Sequence, residues 1–392
     1  MRSKTSQFIL LLAIFIVALN LRPAITSIGP MLDIVREDLA LSNTQVSLLT
    51  VIPVICMGVF AMLAPILNQS IGLHKTMYLM LLVLAIATGL RFVVSSFTYL
   101  LLTALGVGIA IAVIGPLLSA LIKQYFPHHV AVVVGIYSFG MGMGATLSTG
   151  LTAVFYEASD SSYAFALAIW SVLAIVGIIA WKITASHPLE VKQATELAIK
   201  KGENPWRSRT AWSFLLFFGL QSALFFSILT WLVPIAVTNG MTLLHAGTLL
   251  SMMTIVQIVM NIGFPILLQR FASRTPALVG ILLIGMLSIA FMWTAQPILF
   301  AVGVLLMGFP LGGLFPIALL MPMDATDTAE ETNTWTAMMQ TGGFIMGGIL
   351  PLFIAMLYDY TANHQVTLFV FLLLFVAMLV LALRIGKSTR KA

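Results

Sequence analysis

Twelve apolar runs, each of about 20 residues or more, follow one another along this chain and leave little room for any other architecture. They fall at 8–32, 44–67, 75–95, 99–123, 130–156, 162–183, 211–238, 244–269, 276–294, 297–322, 333–357 and 365–385. A run of that length with almost no charge matches the thickness of a bilayer's hydrocarbon core as a helix. Composition agrees: 8% of the 392 residues are charged, where a water-facing surface needs roughly 25%. Mean hydropathy is +1.07. The reading is an all-α membrane protein of the multi-pass type. The basic start MRSKTSQF followed by a long apolar stretch imitates a secretory leader. No small-residue cleavage site closes a short apolar core, so the segment is read as the retained first span.

The runs form two sets of six, giving an N-terminal half at 1–183, a cytoplasmic linker at 184–210 and a C-terminal half at 211–392. The linker contains LEVKQATELAIKK, an amphipathic stretch expected to lie on the cytoplasmic surface as a helix. The halves resemble each other. PILNQSIGLHKT from Pro65 matches PILLQRFASRTP from Pro265, and at the same offset Gly108 and Pro116 match Gly308 and Pro316. Two parallel six-helix repeats with a site between them at mid-membrane describe a secondary transporter.

The net charge of +6 has a topological cause. With the N-terminus in the cytoplasm, every Lys and Arg except Arg22, Arg36 and Arg91 falls on cytoplasmic segments or helix ends. Both termini are therefore expected in the cytoplasm, and the basic excess predicts no nucleic-acid partner. The single cysteine, Cys56, excludes an internal disulfide.

Arg22 is the sharpest feature. It lies in ALNLRPAITSIGP (18–30), inside the first span, between two prolines, Pro23 and Pro30, expected to bend or loosen the helix. A charge there costs at least about 2.5–3.5 kcal/mol and marks a cavity or a functional site. On a helical wheel Arg22 shares a face with Thr26, while Asn20 and Ser27 lie about 200° away. The Arg22 face is expected to look into the cavity, leaving Asn20 to bond a neighbouring helix or orient the guanidinium. All 13 acids and all six histidines fall at span ends or in loops. Arg22 thus has no fixed counter-ion within the spans, and either an incoming anion or polar substrate, or helix carbonyls, complete it. The same absence removes an obvious proton carrier, so uniport, or transport in which the substrate carries the proton, fits best. Arg91, near the outer end of the third span, reads as a snorkelling interfacial residue or an outer attraction site for anions.

Other polar residues in the spans are candidate substrate contacts: Tyr137, Gln221, Gln257, Asn261 and Gln340. Gln257 and Asn261, four apart, share a face. Such amides serve equally as bonds between helices. Trp231 and Phe225 could shape an apolar wall or be ordinary packed aromatics. Gly140, Gly142 and Gly144, with Gly342, Gly343, Gly347 and Gly348, lie inside spans, lack a P-loop Lys and read as close helix contacts, fixed or changing during gating.

Taken together, LNLRPAITSIGPMLDIVR, LGVGIAIAVIGPLLSALIKQYFP, VGIYSFGMGMGA, LQSALFFSILTWLVP, FPLGGLFPIALLM and MMQTGGFIMGGILP resemble the cyanate-permease and nitroimidazole-transporter family of the major facilitator superfamily. The resemblance spans essentially the whole chain and leans to the cyanate side. It implies twelve helices in two pseudo-symmetric halves in the cytoplasmic membrane, and spans five and eleven against the cavity. It also implies a monomer that carries a small solute and needs neither cofactor nor metal. The expected cargo is a small monovalent anion such as cyanate, the alternative being export of neutral or aromatic compounds such as nitroimidazoles. Two departures count against a proton/drug antiporter: span four, TALGVGIAIAVIG, has no Arg, and span five, FGMGMGATLSTG, lacks a Gly-Pro signature. The loop between spans two and three has decayed to NQSIGLHK, which leaves no Asp there for a gating salt bridge. No carboxylate pair, metal cluster or nucleophile–base set points to an enzyme.

Overall fold

The computed structural model describes residues 2–41, 43–94, 96–185, 204–268, 274–294 and 296–388. Among them eleven helices are long and apolar enough to cross a membrane. A twelfth span is a pair, Leu48–Val59 and Leu63–Ile71, bent by 56°. Most of the stretch 184–210 lies outside the described residues, and with it the expected surface helix. Its described end is a short turn at Pro205–Arg207, after which Arg209–Thr238 begins the second half with Ser208 as its cap.

The pairing of helices repeats. In the first half span one packs on five and six, two on four, and three on four and six. In the second half seven packs on eleven and twelve, eight on ten, and nine on ten and twelve, which is the same scheme shifted by six. The halves meet along seams of five against eight and two against eleven, which exchange under the same repeat, and likewise four against eleven and five against ten. Small residues open these seams. A Cβ on Gly142 would lie 3.1 Å from the Asn261 amide nitrogen, and one on Gly58 would lie 2.8 Å from the Thr341 carbonyl oxygen.

Further contacts between the halves lie at the end that the charge distribution assigns to the cytoplasm. The Lys123 ammonium, at the foot of span four, donates to the Met323 carbonyl of span ten at 2.6 Å. The Gln69 amide donates to Glu330 at 3.0 Å. Beside them Arg274 pairs with Asp324.

The first span is the exception to regular helix. It runs from Arg2 to Asn20, tightens as the Leu21 amide reaches back to the Ala18 carbonyl, and restarts at Pro23–Thr26. Proline explains the restart: it has no N–H to offer the preceding turn, and its fixed φ suits the first position of a new helix. Arg22 is the cap of that segment, its carbonyl accepting from the Ile25 and Thr26 amides at 2.9 Å. Pro30 lies in a 3-10 turn at Gly29–Met31, and a last short helix, Leu32–Asp38, follows.

Candidate functional site

Where span one breaks, the two halves enclose a cavity of about 720 Å³, its open mouth included. Arg22, Ile25 and Thr26 of span one line it, with Ser138, Met141, Gly142 and Ala145 of span five. The second half contributes Gln221, Ser222, Phe225, Phe226 and Leu229 of span seven, and Gln257 and Asn261 of span eight. Leu311, Phe315 and Phe344 close the wall.

Arg22 is 9% exposed. Its guanidinium carbon lies 5.7 Å from the Phe225 ring centre and 5.8 Å from that of Phe226. A cation at that distance over an aromatic face is held by the ring quadrupole at about 0.5–2 kcal/mol. The guanidinium forms no ion pair or hydrogen bond with the described residues, so its five N–H donors stay free for something in the cavity. Tyr137 lies within electrostatic reach of it. From the second half come two amide side chains, Gln221 and Gln257, whose buried Oε1 atoms have no protein partner. Asn261 is tethered, its amide nitrogen donating to the Ser138 carbonyl across the seam at 3.3 Å. Thr26 closes the floor: its hydroxyl donates to the Arg22 carbonyl at 2.9 Å and shares a 2.6 Å hydrogen bond with Ser148.

The site therefore combines a buried cation without a fixed counter-ion, free amide groups opposite it, and aromatic walls. It can bind a small anion or a flat polar solute. Among the described residues no group of His, Cys, Asp and Glu could hold a metal.

Of the residues selected from sequence, Arg22, Thr26, Gln221, Gln257, Asn261 and Phe225 come together on the wall. Four others need correction, because they lie off the lining: Asn20 and Trp231 by helix rotation, Tyr137 and Gln340 by depth, one turn along the same face from the lining residues Met141 and Phe344. Asn20 faces span six, its amide donating to the Ile16 carbonyl at 2.8 Å and pressing on Gly177. Tyr137 is buried behind the wall formed by its neighbours Ser138 and Met141. Gln340 packs on Gly115 of span four. Trp231 donates to the Pro351 carbonyl at 3.2 Å and sits against Tyr358 and His364, well away from the lining.

Arg91 departs furthest from expectation. It neither snorkels nor faces an outer vestibule: it is 0% exposed, among the largest fully buried side chains. Its Nη1 donates to the Ala24 carbonyl at 2.6 Å and its Nε to the Thr103 hydroxyl at 3.3 Å. Sequence reading also passed over Ser138, Ser222 and Phe226. Each adjoins a residue that was singled out, and that adjacency was the only available signal.

The glycines divide by role. Gly140 and Gly144 let span five approach span one, and at Gly144 a Cβ would run into the Leu19 carbonyl beside the break. Gly342, Gly343 and Gly347 receive side chains of span seven, while Gly348 faces Ile55 and Val51 across the seam to span two.

Comparison with known proteins agrees with this fold. The chain is 28% identical over 374 residues to the uncharacterized transporter YycB of Bacillus subtilis, covering 95% of this chain and 91% of that protein. It is 27% identical to the cyanate transport protein CynX of Escherichia coli, with 96% of each covered. Identity to the 2-nitroimidazole transporter of Escherichia coli is 25%, with 98% of this chain and 97% of that one covered. Among solved structures, FucP in its outward conformation superposes with a TM-score of 0.79 at 14% identity, over 97% of this chain and 99% of that one. The family model of the Major Facilitator Superfamily matches residues 10–351, and the chain, a multi-pass membrane transporter, belongs to that superfamily.

Proposed function

We propose that this transporter moves a small monovalent anion, cyanate being the model, across the cytoplasmic membrane by alternating access, with Arg22 at the centre of its site. One observation carries the reading: a buried Arg on the cavity wall whose guanidinium has, among the described residues, no acidic partner and no acceptor. A cation in that setting is stable only when something in the cavity completes it. The amides of Gln221, Gln257 and Asn261 then complete the shell from the opposite half. Residues 1–183 and 211–392 form the two rocking units, each monomer working alone. Gly140, Gly142, Gly144, Gly342 and Gly343 serve as the surfaces that slide. With no acid or His inside the spans, transport runs as uniport or with a proton carried by the substrate itself. The similarity to the cyanate transport protein supports this choice.

A second reading has its own support. Phe225, Phe226, Phe315 and Phe344 make much of the wall aromatic, which suits a flat nitroaromatic, and the 2-nitroimidazole transporter is among the relatives.

Thermal stability of the purified protein, titrated with cyanate and separately with 2-nitroimidazole, separates the two. The anion reading expects a rise with cyanate that Arg22→Gln abolishes, together with loss of uptake by Arg22→Ala in proteoliposomes although that variant stays folded. The loss of a charged hydrogen-bonding group corresponds to a fall in affinity of about tenfold to a hundredfold. Near-normal uptake by Arg22→Ala overturns it. A rise with 2-nitroimidazole that survives Arg22→Gln favours the second reading.

A further inference from the structure

The break in span one frees a carbonyl that a continuous helix would use. The Ile28 amide, which would reach back to Ala24, turns instead to Ile25 at 3.4 Å. No backbone N–H takes the Ala24 carbonyl, and it is buried. An acceptor left in that state destabilises the segment that carries it. Arg91 answers it from another helix, at 2.6 Å.

We infer that Arg91 is the positioning residue of the binding site: its bond to the Ala24 carbonyl fixes the Pro23–Thr26 segment and so holds the Arg22 guanidinium in the cavity. This rests on the reading of Arg22 as the anion ligand. Three restraints converge on the segment. Pro23 lies against Gly144, Thr26 bonds to Ser148, and Arg91 holds the residue between. The first two come from span five, which lines the cavity. Among the described residues, Arg91 supplies the hydrogen bond that ties the segment to span three and, through Thr103, reinforces its direct packing on span four; neither span contributes to the wall.

Arg91 is itself well placed to act as an anchor. It sits in the 3-10 turn Leu90–Val93 that ends span three, and the Tyr99 hydroxyl donates to the Leu90 carbonyl at 3.1 Å, tying that turn to span four. Thr103, which accepts from Nε, donates in turn to the Leu100 carbonyl at 2.7 Å. A main-chain carbonyl asks for one N–H, so lysine can replace Arg91 in the Ala24 bond while leaving the Thr103 bond unmade.

The test reads where the Arg22 charge sits without using any substrate. In a Cys56→Ser background, Ala145→Cys places a thiol on the cavity wall. Its rates with an anionic and a cationic methanethiosulfonate reagent of similar size are then compared. The anionic-to-cationic ratio reports the local positive potential, and removing that charge by Arg22→Gln is expected to lower it by at least about fivefold. Arg91→Met is expected to lower it by at least about threefold with Arg22 intact, and Arg91→Lys to restore most of the loss. In an Arg22→Gln background Arg91→Met should lower it no further; an equal fall there comes from Arg91's own charge and overturns the positioning role. The cyanate-induced rise in thermal stability should follow the same order. If Arg91→Met does not yield folded protein, Thr103→Val takes its place, with an expected fall of about twofold. A ratio that depends on Arg22 but not on Arg91 or Thr103 overturns this inference and leaves the anion site standing. A ratio indifferent to Arg22 overturns both. A normal ratio dependence with no response to cyanate sinks the substrate assignment and leaves the positioning role intact.

Discussion

Spans one and seven occupy equivalent places in the two halves and carry opposite chemistry. Span seven, Arg209–Thr238, is one continuous helix that presents Gln221, Ser222, Phe225 and Phe226 to the cavity, none of them charged. Span one breaks in mid-membrane and presents Arg22 from the break. The repeat therefore dictates where helices go but not what they offer. A solute held here is gripped by charge from one side and by amides and rings from the other. Rocking the halves apart changes both grips at once, which is what an alternating-access carrier needs.

The comparison can be broken most forcefully at the glycines. Gly144 faces a backbone carbonyl beside the break, which cannot move aside, whereas Gly347 of span eleven faces the Phe226 and Ser222 side chains of span seven. Gly144→Ala is expected to destabilise the purified protein by about 1–3 kcal/mol, and Gly347→Ala by clearly less, as followed by thermal aggregation. Equal effects would show that the broken span is no more tightly held than the continuous one. A smaller effect is expected at Gln221, whose buried carbonyl oxygen has no protein partner. Gln221→Leu should leave stability unchanged or raised while weakening cyanate binding about three- to tenfold, since the Nε2 of that amide is the group that can donate to the anion. A loss of stability instead would mean the amide serves the fold. Smallest is Trp231→Phe. It removes one hydrogen bond, to Pro351, worth about 1 kcal/mol, and should change uptake by less than about twofold because the side chain lies off the wall.

Much of this was legible in the sequence because the bilayer imposes simple rules. The twelve spans follow from length and apolarity, and the two-half organisation from matches such as Pro65 with Pro265. The unpaired Arg22 follows from the absence of acids in the spans. What escaped depends on helix rotation for Asn20 and Trp231 and on depth along the helix for Tyr137 and Gln340. In a soluble helix an apolar stripe marks the buried face, but here lipid and protein interior are equally apolar, so that signal is lost. Gln257 and Asn261 face the cavity while Gln340, just as polar and just as central, packs on Gly115. Nothing in their neighbourhoods along the chain separates them. Arg91 departs from the interfacial reading because closeness to a span's end along the chain does not set a side chain's burial. The 3-10 turn at Leu90–Val93 sends its side chain inward to the Ala24 carbonyl.

Lys123 and Met323 are the same position in the two repeats, 200 residues apart, and they touch. Equivalent positions come within a side chain's reach of each other only near the two-fold axis that relates the halves, so this hydrogen bond lies close to that axis. The acceptor is a main-chain carbonyl, which every amino acid supplies. A buried side chain that replaces Met323 at similar volume therefore leaves this bond available, whereas replacing Lys123 removes it and leaves Gln69 with Glu330 to join the halves at that end.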